Sequence, residues 1–254
     1  MSATNERIDD LLTHDLRIIQ SPEVFSFSLD AVLLARFASV PSTGEIADLC
    51  SGNGVIPLLL STRSKANIVG VEIQSKLCDM AQRSVEMNGL QSRIRMELAD
   101  LRSWSQQLQH HEKYDLVTVN PPYLPVQQGQ SSMNEHVAIA RHELFCTLED
   151  VATAAGRLVR NGGRAAIVHR PSRIVDLLES LRRNRLEPKR IRFVHPKAAS
   201  EANMVLVEAI KGGKPEVRLL PPLIVHNEDN GYCDELQQVF YGKSLSLDHE
   251  VGAL

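Results

Sequence analysis

Seven short apolar segments recur along the chain, separated by stretches with helical periodicity or turn residues. Several are rich in Val and Ile, which is typical of strands buried on both faces of a parallel sheet. They are Glu45–Leu49, Ile68–Val71, Ile94–Leu98, Tyr114–Val119, Arg164–Val168, Arg190–Val194 and Asn203–Ala209. The pattern predicts an α/β domain, in which Leu29–Val40 and Val55–Leu60 form two of the helices.

The two ends of the chain give weaker patterns. Residues 1–14 are predicted to be frayed or loosely helical, and Leu16–Gln20 and Phe25–Ser28 to be short strands on either side of a turn at Pro22. Leu29, Val32, Leu33 and Phe37 share one side of the helix that follows. We therefore divide the chain into an N-terminal cap of strands and a helix (1–40), a core (41–210) and a C-terminal tail of unassigned role (211–254).

Composition narrows the class of protein. With 254 residues, 43% hydrophobic and 23% charged, the chain fits one globular domain. The start is polar and no apolar run reaches membrane-spanning length, so we expect no membrane partner. Cys50, Cys78, Cys146 and Cys233 are widely spaced. This spacing predicts reduced thiols in a cytoplasmic protein, without disulfides or a metal site.

Charge is distributed unevenly along the chain. Residues 157–197 carry twelve Lys and Arg against three acids, a local balance of +9, which leaves −12 for the remainder. A charge run is usually a solvated helix face, but such faces normally mix the two signs. The segment therefore favours a surface that binds a polyanion, with nucleic acid as the partner.

Acidic residues and glycines follow three predicted strands at the edge where α/β sheets bind ligands. Asp48 precedes a loop whose two glycines let the backbone approach a ligand closely, Cys50-Ser51-Gly52-Asn53-Gly54. Pro57 stands where a dinucleotide fingerprint has its third glycine. Asp48 instead suits a ligand with a cationic amino-acid end. Glu72 suits a ribose, and Asp100 an adenine amine. Each acid alone is equally explained as a helix cap or a surface charge.

The segment Asn120-Pro121-Pro122-Tyr123 follows the fourth strand. Its prolines fix φ and remove two donors, which leaves a stiff turn with bare carbonyls, an amide and an aromatic ring. The Asn120 side-chain oxygen and the Pro121 carbonyl can each accept one N–H of an adenine amine and so direct its lone pair at a methyl group. Tyr123 can stack on an unstacked base. Alone, the tetrapeptide is an ordinary turn; with a methyl-donor site upstream, it predicts amine methylation.

These strand-end motifs, in this order, resemble those of the class I S-adenosylmethionine methyltransferases. The tetrapeptide is similar to that of the amino-methylating group, which modifies adenine N6, some guanine N2 and protein glutamine. The resemblance implies a Rossmann-like, seven-stranded α/β sheet with helices on both faces, and S-adenosylmethionine as cofactor. For cofactor binding it implies Asp48, Cys50, Ser51, Gly52, Asn53, Gly54, Glu72, Ile73, Asp100, Leu101 and Asn120. For catalysis it implies Asn120, Pro121, Pro122 and Tyr123.

Most of residues 16–225 resembles one bacterial branch, the tRNA(Val) adenine-N6 methyltransferases. The shared segments include Phe25–Ala31, Arg141–Glu143, His169–Arg173, Glu187–Arg190 and Ala202–Glu208. This implies transfer to adenine N6 in structured RNA, in tRNA just 3′ of the anticodon. The substrate-binding residues are then Tyr123, Arg141, His142, Arg170, Arg173 and Lys197.

Several alternatives remain open at this point. Arg141 and His142 are equally explained as charges on a solvated first helical turn, and His169 as a loop histidine rather than a phosphate contact. The target is alternatively rRNA guanine N2, DNA adenine or protein glutamine. A donor-binding RNA-interaction protein without catalysis is the rival of another class. A monomer and a homodimer are both compatible with the sequence.

Overall fold

One large, mostly parallel β-sheet organises the molecule, which a computed structural model describes for residues 5–24, 29–122 and 146–241. The strands are β1 Arg7–Asp10, β2 Arg17–Gln20, β3 Glu45–Leu49, β4 Asn67–Glu72, β5 Ile94–Leu98, β6 Tyr114–Val119, β7 Val159–His169, β8 Leu186–His195, β9 Met204–Lys211, β10 Arg218–Leu219 and β11 Leu223–Ile224. The order in the sheet is β10-β8-β9-β7-β6-β3-β4-β5, with β11 also paired to β8. Among the strands described in this sheet, β9 alone runs antiparallel to its neighbours.

The seven predicted strands are confirmed as β3 to β9, the last three of them longer than predicted. Because neighbours from β5 to β7 are parallel, their carboxyl ends lie at one edge of the sheet. The predicted parallel course of β8 is also confirmed, since β8 and β7 both run antiparallel to β9. The carboxyl ends of the six parallel strands β3 to β8 therefore lie at one edge of the sheet, which we call the carboxyl edge.

Helices cover both faces of the sheet. Those described are α1 Leu29–Phe37, α2 Val55–Ser61, α3 Ser75–Met87, α4 Leu101–Trp104, α5 Leu148–Leu158, α6 Ile174–Arg183 and α7 Asp234–Phe240. One core cluster joins α1, α2 and α7 to the sheet, and a second joins α4, α5 and α6 to its other face. Successive side chains of a strand point to opposite faces, so one strand can contribute to both clusters. On β6, Leu116 packs into the first cluster, and Val117 and Val119 pack into the second.

The prediction for residues 1–14 was wrong, because β1 pairs with β2 in a separate two-stranded hairpin. Three residues of the turn, Leu12, His14 and Asp15, are left-handed, with φ between 53° and 56°. The turn contains no Gly or Asn, the residues from which such a conformation is normally predicted. Arg83 on α3 holds this hairpin through a bidentate pair with Glu6 at 2.8 Å. The hairpin is thus fixed by long-range contacts that local sequence does not reveal.

Helix α1 differs from its prediction in two ways. It ends at Phe37 rather than Val40, where Arg190 donates to the Phe37 carbonyl at 2.6 Å and Arg63 donates to the Arg36 carbonyl at 3.2 Å. Every residue from Asp30 to Phe37 is buried, so no side of the helix faces water. The predicted strand at residues 25–28 lies outside the described residues.

The C-terminal residues extend the sheet and cover α1. Strands β10 and β11 each pair with β8, and α7 contributes Leu236 and Val239 to the same core cluster as α1. Arg192, 1% exposed, forms a bidentate pair with Glu235 at 2.9 Å and donates to the Pro221 carbonyl. A buried guanidinium on β8 therefore holds the C-terminal helix in place.

Candidate functional site

Asp48, the fourth residue of β3, is a fully buried carboxyl at the carboxyl edge. Its Oδ1 accepts a hydrogen bond of 2.6 Å from the hydroxyl of Thr118, its register partner on β6. Its Oδ2 forms no hydrogen bond of good geometry among the described residues, although the Ser51 hydroxyl lies close to the carboxyl. Burial raises the pKa of the carboxyl to about 7, against the opposing effects of the Thr118 and Ser51 hydroxyls. A buried acceptor is thus available to a donor group of a ligand.

The loop after Asp48 turns sharply through left-handed residues. Cys50 and Gly52 have φ of 56°, and Gly54 has φ of 83°. A Cβ on Gly54 would lie 3.0 Å from Ala81 of α3, whereas a Cβ on Gly52 would meet nothing within 4 Å. Packing therefore requires the glycine at 54. Gly52 faces open space in which a ligand can approach the backbone.

Glu72, the last residue of β4, fixes this loop from the neighbouring strand. Its two carboxylate oxygens accept from the backbone N–H groups of Gly52 and Gln74, at 2.8 and 2.9 Å. Burial raises its pKa, and these N–H groups oppose that effect. The N–H of Ile73 also acts on this carboxylate, which with about four acceptor positions keeps at least one for a ligand. Beyond Glu72, Ile73 and Leu98 are large apolar side chains exposed by 41% and 58%, as an apolar ligand surface requires.

Asp100, after β5, serves the local structure as a helix cap. It accepts from the backbone N–H of Arg102 at 2.8 Å and pairs with the Arg102 guanidinium. The hydrogen bond from Arg102 lowers the pKa of the carboxyl. Leu101 beside it is buried. Asp100 lies at the predicted edge, with Arg102 as a competitor for any ligand donor.

Asn120 and the two prolines follow β6 beside the glycine loop. Leu49 and Val119 are register partners, so the next residues, Cys50 and Asn120, lie on adjacent strand ends about 5 Å apart. Asn120 and Pro122 are half-buried, and Pro121 is buried. The structure therefore brings the tetrapeptide's first residues to the loop that follows Asp48, as predicted from the order of the motifs.

Two features of this region were not predicted. The hydrogen bond from the Thr118 hydroxyl to Asp48 was not predicted. Side chains alternate between the two faces of a strand, so the sequence of β6 does indicate the face on which Thr118 lies. A hydrogen bond with Cys146, together with burial, raises the pKa of the Cys50 thiol. The contact joins residues 96 positions apart, so local sequence carries no signal for it.

The residues present fit a donor with an amino-acid end and a nucleoside. Oδ2 of Asp48 and Oγ of Ser51 are buried polar atoms that lie close to each other and form no hydrogen bond of good geometry within the described residues. Gly52 leaves space beside them, and Ile73 is the exposed apolar surface. Asn53 is not available in the same way, since its Nδ2 donates to the Ile19 carbonyl at 3.3 Å and ties the loop to the N-terminal hairpin.

The predicted substrate-binding residues are only partly described. Arg170 follows β7 and donates to the Asn203 carbonyl at 3.2 Å, and Arg173 pairs with Asp176 at 2.7 Å. Lys197 is exposed beyond β8, three strands away from β6 at the same edge. Tyr123, Arg141 and His142 lie outside the described residues.

His169, the last residue of β7, is buried and uncharged. It is 1% exposed, and its Nδ1 accepts from the backbone N–H of Arg170 at 2.9 Å. Burial, followed by the nearby charge of Arg173, lowers its pKa to about 4. At neutral pH it therefore adds no positive charge for a phosphate.

The cations of residues 157–197 do not form one face. Arg170, Arg173 and Lys197 lie at the carboxyl edge, whereas Arg157, Arg183 and Arg185 lie at the opposite one, where α5 and α6 end. Acids from outside the segment neutralise others. Arg164 and Arg190 pair with the buried Glu208, Arg160 with Asp115, and Arg192 with Glu235. The polyanion surface is therefore smaller than the sequence count of +9 indicates.

Searches of residues 5–24, 29–122 and 146–241 for other kinds of site were negative. No helix there has the length and apolar character needed to span a membrane. Those residues also contain no group of three or more His, Cys, Asp and Glu side chains placed to hold a metal ion.

Comparisons with known proteins identify the fold and the family. A sequence model of the methyltransferase small domain matches residues 15–180. A Haemophilus influenzae protein named tRNA1(Val) (adenine(37)-N6)-methyltransferase is 28% identical over 231 residues, which cover 89% of this chain and 95% of that protein. A crystal structure described as a predicted O-methyltransferase of Agrobacterium tumefaciens has a TM-score of 0.68 at 23% identity, over 85% of this chain and 97% of that chain.

A geranyl diphosphate C-methyltransferase of Streptomyces coelicolor, solved with S-adenosyl-L-homocysteine, has a TM-score of 0.52 at 14% identity, over 72% of this chain and 77% of that chain. At such identities the two solved structures establish the fold alone. The family match covers more than half of the chain, from the N-terminal hairpin to α6. The chain therefore belongs to the methyltransferase small domain family, as an enzyme of the class I fold whose cofactor is S-adenosylmethionine.

Proposed function

We propose that this enzyme methylates N6 of adenine 37 in a tRNA, the position given in the name of its Haemophilus influenzae relative. The observation that supports the proposal is the adjacency of two strand ends: β3 leads into the Asp48 loop, and β6 leads into Asn120-Pro121-Pro122. An electrophilic methyl group and an amine with two of its N–H groups held can meet between them.

On this proposal, the strand-end residues bind the donor. Asp48 Oδ2 attracts the ammonium group, and Glu72 accepts from the ribose hydroxyls with the acceptor capacity it retains. Asp100 and the backbone of Leu101 bind the adenine edge, and Ile73 packs against the ring. The remaining proposed donor contacts belong to the glycine loop: Cys50, Ser51, Gly52, Gly54 and, through its main chain because its side chain is bound to Ile19, Asn53.

The turn after β6 binds the target amine. The Asn120 side-chain oxygen and the Pro121 carbonyl each accept one N–H, which draws the nitrogen towards sp3 and directs its lone pair outward. S-adenosylmethionine, when bound, supplies a methyl group activated by a positively charged sulfur. The methylated amine is acidic enough to lose its proton to water, so no residue with a shifted pKa has to act as general base. Tyr123 stacks on the base.

Cations at the carboxyl edge hold the RNA. Arg170, Arg173 and Lys197 are the proposed phosphate contacts among the described residues, with Arg141 and His142 as further substrate contacts. An edge of separate cations suits a backbone that carries repeated negative charges. RNA is therefore the proposed partner, and the cytoplasm, where tRNA is modified, is the proposed location.

Transfer of a deuterated methyl group tests this proposal. Purified protein is incubated with trideuteromethyl S-adenosylmethionine and tRNA from cells that lack the gene, and the nucleosides are analysed by mass spectrometry. The proposal predicts labelled N6-methyladenosine, and fragment mapping at position 37. Ribosomal RNA and duplex DNA serve as comparison substrates. Label on another base, or transfer only to DNA or rRNA, contradicts the tRNA assignment; no transfer to any nucleic acid contradicts adenine methylation as a whole.

A further inference from the structure

An open cavity of about 640 Å³ lies at the edge of the sheet opposite to the candidate site. It forms where α5 and α6 end, beside the residues that precede β6. Its charged lining consists of His111, Glu112, Arg157, Arg183, Arg185 and Lys211. Four permanent cations against one carboxylate make this a strongly basic concave surface.

Two of the four cations are occupied by neighbouring groups, and two are not. Lys211, 5% exposed, donates to the Gly156 carbonyl at 2.7 Å and pairs with Glu112 at 2.9 Å. Arg183 pairs with Glu179. Arg157 and Arg185 are exposed, and no hydrogen bond or ion pair of their side chains is formed within the described residues. Two guanidinium groups are therefore available to a ligand.

Two of the eight non-glycine residues that have positive φ in the described part of the chain belong to the same lining. Glu112 and Arg185 have left-handed φ of 49° and 62°, which is uncommon for a non-glycine residue. Arg185 follows the C-cap of α6, Asn184, at the position where helices favour glycine. Arg157 and Arg183 lie in the last turns of α5 and α6, where the helix dipole favours a positive charge. The dipole does not account for an arginine in place of glycine at 185.

The ligand chemistry follows from the lining. Guanidinium groups bind phosphate through two parallel N–H···O bonds, and the open form of the cavity suits a polymer backbone better than an enclosed small molecule. Helix α6 runs from Arg173 at the carboxyl edge to Arg183 at the cavity, a span of about 15 Å. One structured RNA is long enough to contact both ends of this helix.

We propose that this cavity, through Arg157 and Arg185, binds phosphodiester groups of the RNA substrate at a distance from the methylated base. The inference rests on the proposed function, since it assigns a second contact to the same RNA. It predicts that whole tRNA binds more tightly than a short RNA that contains only the target loop.

A pair of double variants tests the proposal. Arg157→Ala with Arg185→Gly removes both free cations, and the glycine relieves the left-handed strain, so the melting temperature should stay the same or rise. We expect the affinity for whole tRNA to weaken about tenfold. The slope of the logarithm of the binding constant against the logarithm of salt concentration should decrease in magnitude by about 1 to 2. The control Arg182→Ala with Lys189→Ala removes two cations outside the cavity lining, and its tRNA affinity should remain near that of the wild type.

The outcomes separate this proposal from the proposed function. If wild-type protein methylates tRNA and both double variants bind it equally well, the cavity proposal is overturned and the proposed function stands. If wild-type protein methylates no tRNA, both are overturned. Micromolar binding of adenosine 5′-monophosphate that the first double variant loses, with tRNA binding unchanged, also overturns it, because the cavity is then a site for a small phosphate ligand.

Discussion

Among the described residues, the Asp48 carboxyl combines full burial with an oxygen that forms no hydrogen bond of good geometry, at the edge where we propose that the donor binds. Burying a charge without a partner is costly, so the group takes up a proton more readily than a carboxyl in water. Its pKa of about 7 places the change of charge within the range in which the enzyme can be assayed. Donor binding is therefore expected to depend on pH through Asp48, whose ionised form attracts the ammonium group of the donor.

The direction of the pH dependence follows because only the ionised form of the Asp48 carboxyl attracts the ammonium group of the donor. Below pH 7 the Asp48 carboxyl is mostly protonated and must release its proton on binding the donor, so affinity should rise with pH up to about 7, by at most tenfold per unit. Above that pH the contribution of Asp48 is constant. Calorimetry with S-adenosylhomocysteine in buffers of different ionisation enthalpy measures the released proton. In Asp48→Asn the release should disappear; its persistence would assign the effect to another group.

Gly52 allows a test in which strain and ligand contact are separated. Gly52 and Gly89 both have positive φ, 56° and 68°, and at both a Cβ would meet nothing within 4 Å. Alanine at either site should cost a similar 1 kcal/mol or so of folding stability. Only Gly52→Ala should weaken donor binding, because only Gly52 borders the donor space. Urea unfolding and donor titration of both variants check this, and equal donor affinities would exclude Gly52 from the site.

Among the elements, the C-terminal helix α7 is attached to the sheet by one buried cation, Arg192 of β8. Arg192 on β8 joins Glu235 on α7 and the Pro221 carbonyl, and α7 in turn covers α1. Because Arg192 is 1% exposed, loss of its carboxylate partner leaves a buried charge without compensation.

The substitution Glu235→Ala should therefore lower the free energy of unfolding by about 1–3 kcal/mol. Glu228→Ala, at an exposed residue of the preceding loop, is the matched control and should change it by less than about 0.5 kcal/mol. Urea unfolding followed by tryptophan fluorescence measures both. Equal stability of the two variants would mean that α7 is held by its apolar contacts alone.

The elements that sequence predicts well are those whose pattern is set by their own burial. The strands β3, β4 and β6 are largely apolar because both faces of the sheet are covered there, and the bounds of β3 to β6 were predicted to within one residue. The N-terminal hairpin and the full burial of α1 could not be predicted in this way. They depend on Arg83 and on α7, which lie far from them along the chain.

At the scale of the whole molecule, the distribution of charge is the property that sequence described least well. Counting along the chain gave residues 157–197 a balance of +9, but a count contains no information on partners from other segments. Glu208 on β9 pairs with two arginines of the segment, and Asp115 and Glu235 with one each. The strand-end motifs were more predictable, because parallel strands bring their ends to one edge whatever the intervening sequence.

The turn after β6 lies beside the proposed donor loop and carries the proposed contacts to the target amine. Replacing Asn120 by Ala removes an acceptor that matters most as charge develops on the nitrogen. It should therefore slow the chemical step by ~10²–10³ and leave the affinities for donor and tRNA nearly unchanged. Asn67→Ala, at the amino-terminal end of β4, two strands away from β6 and at the opposite edge of the sheet, should react at the wild-type rate.

Single-turnover methylation of tRNA, with donor and tRNA both saturating, is the most direct measurement of this claim. N6-methyladenosine formed per enzyme is followed by mass spectrometry for the wild type, Asn120→Ala and Asn67→Ala. We expect the wild type and Asn67→Ala to form N6-methyladenosine at equal rates, and Asn120→Ala to be slower by at least about a hundredfold. A rate for Asn120→Ala close to that of the wild type would contradict the proposed mechanism, because the tetrapeptide would then be only a turn.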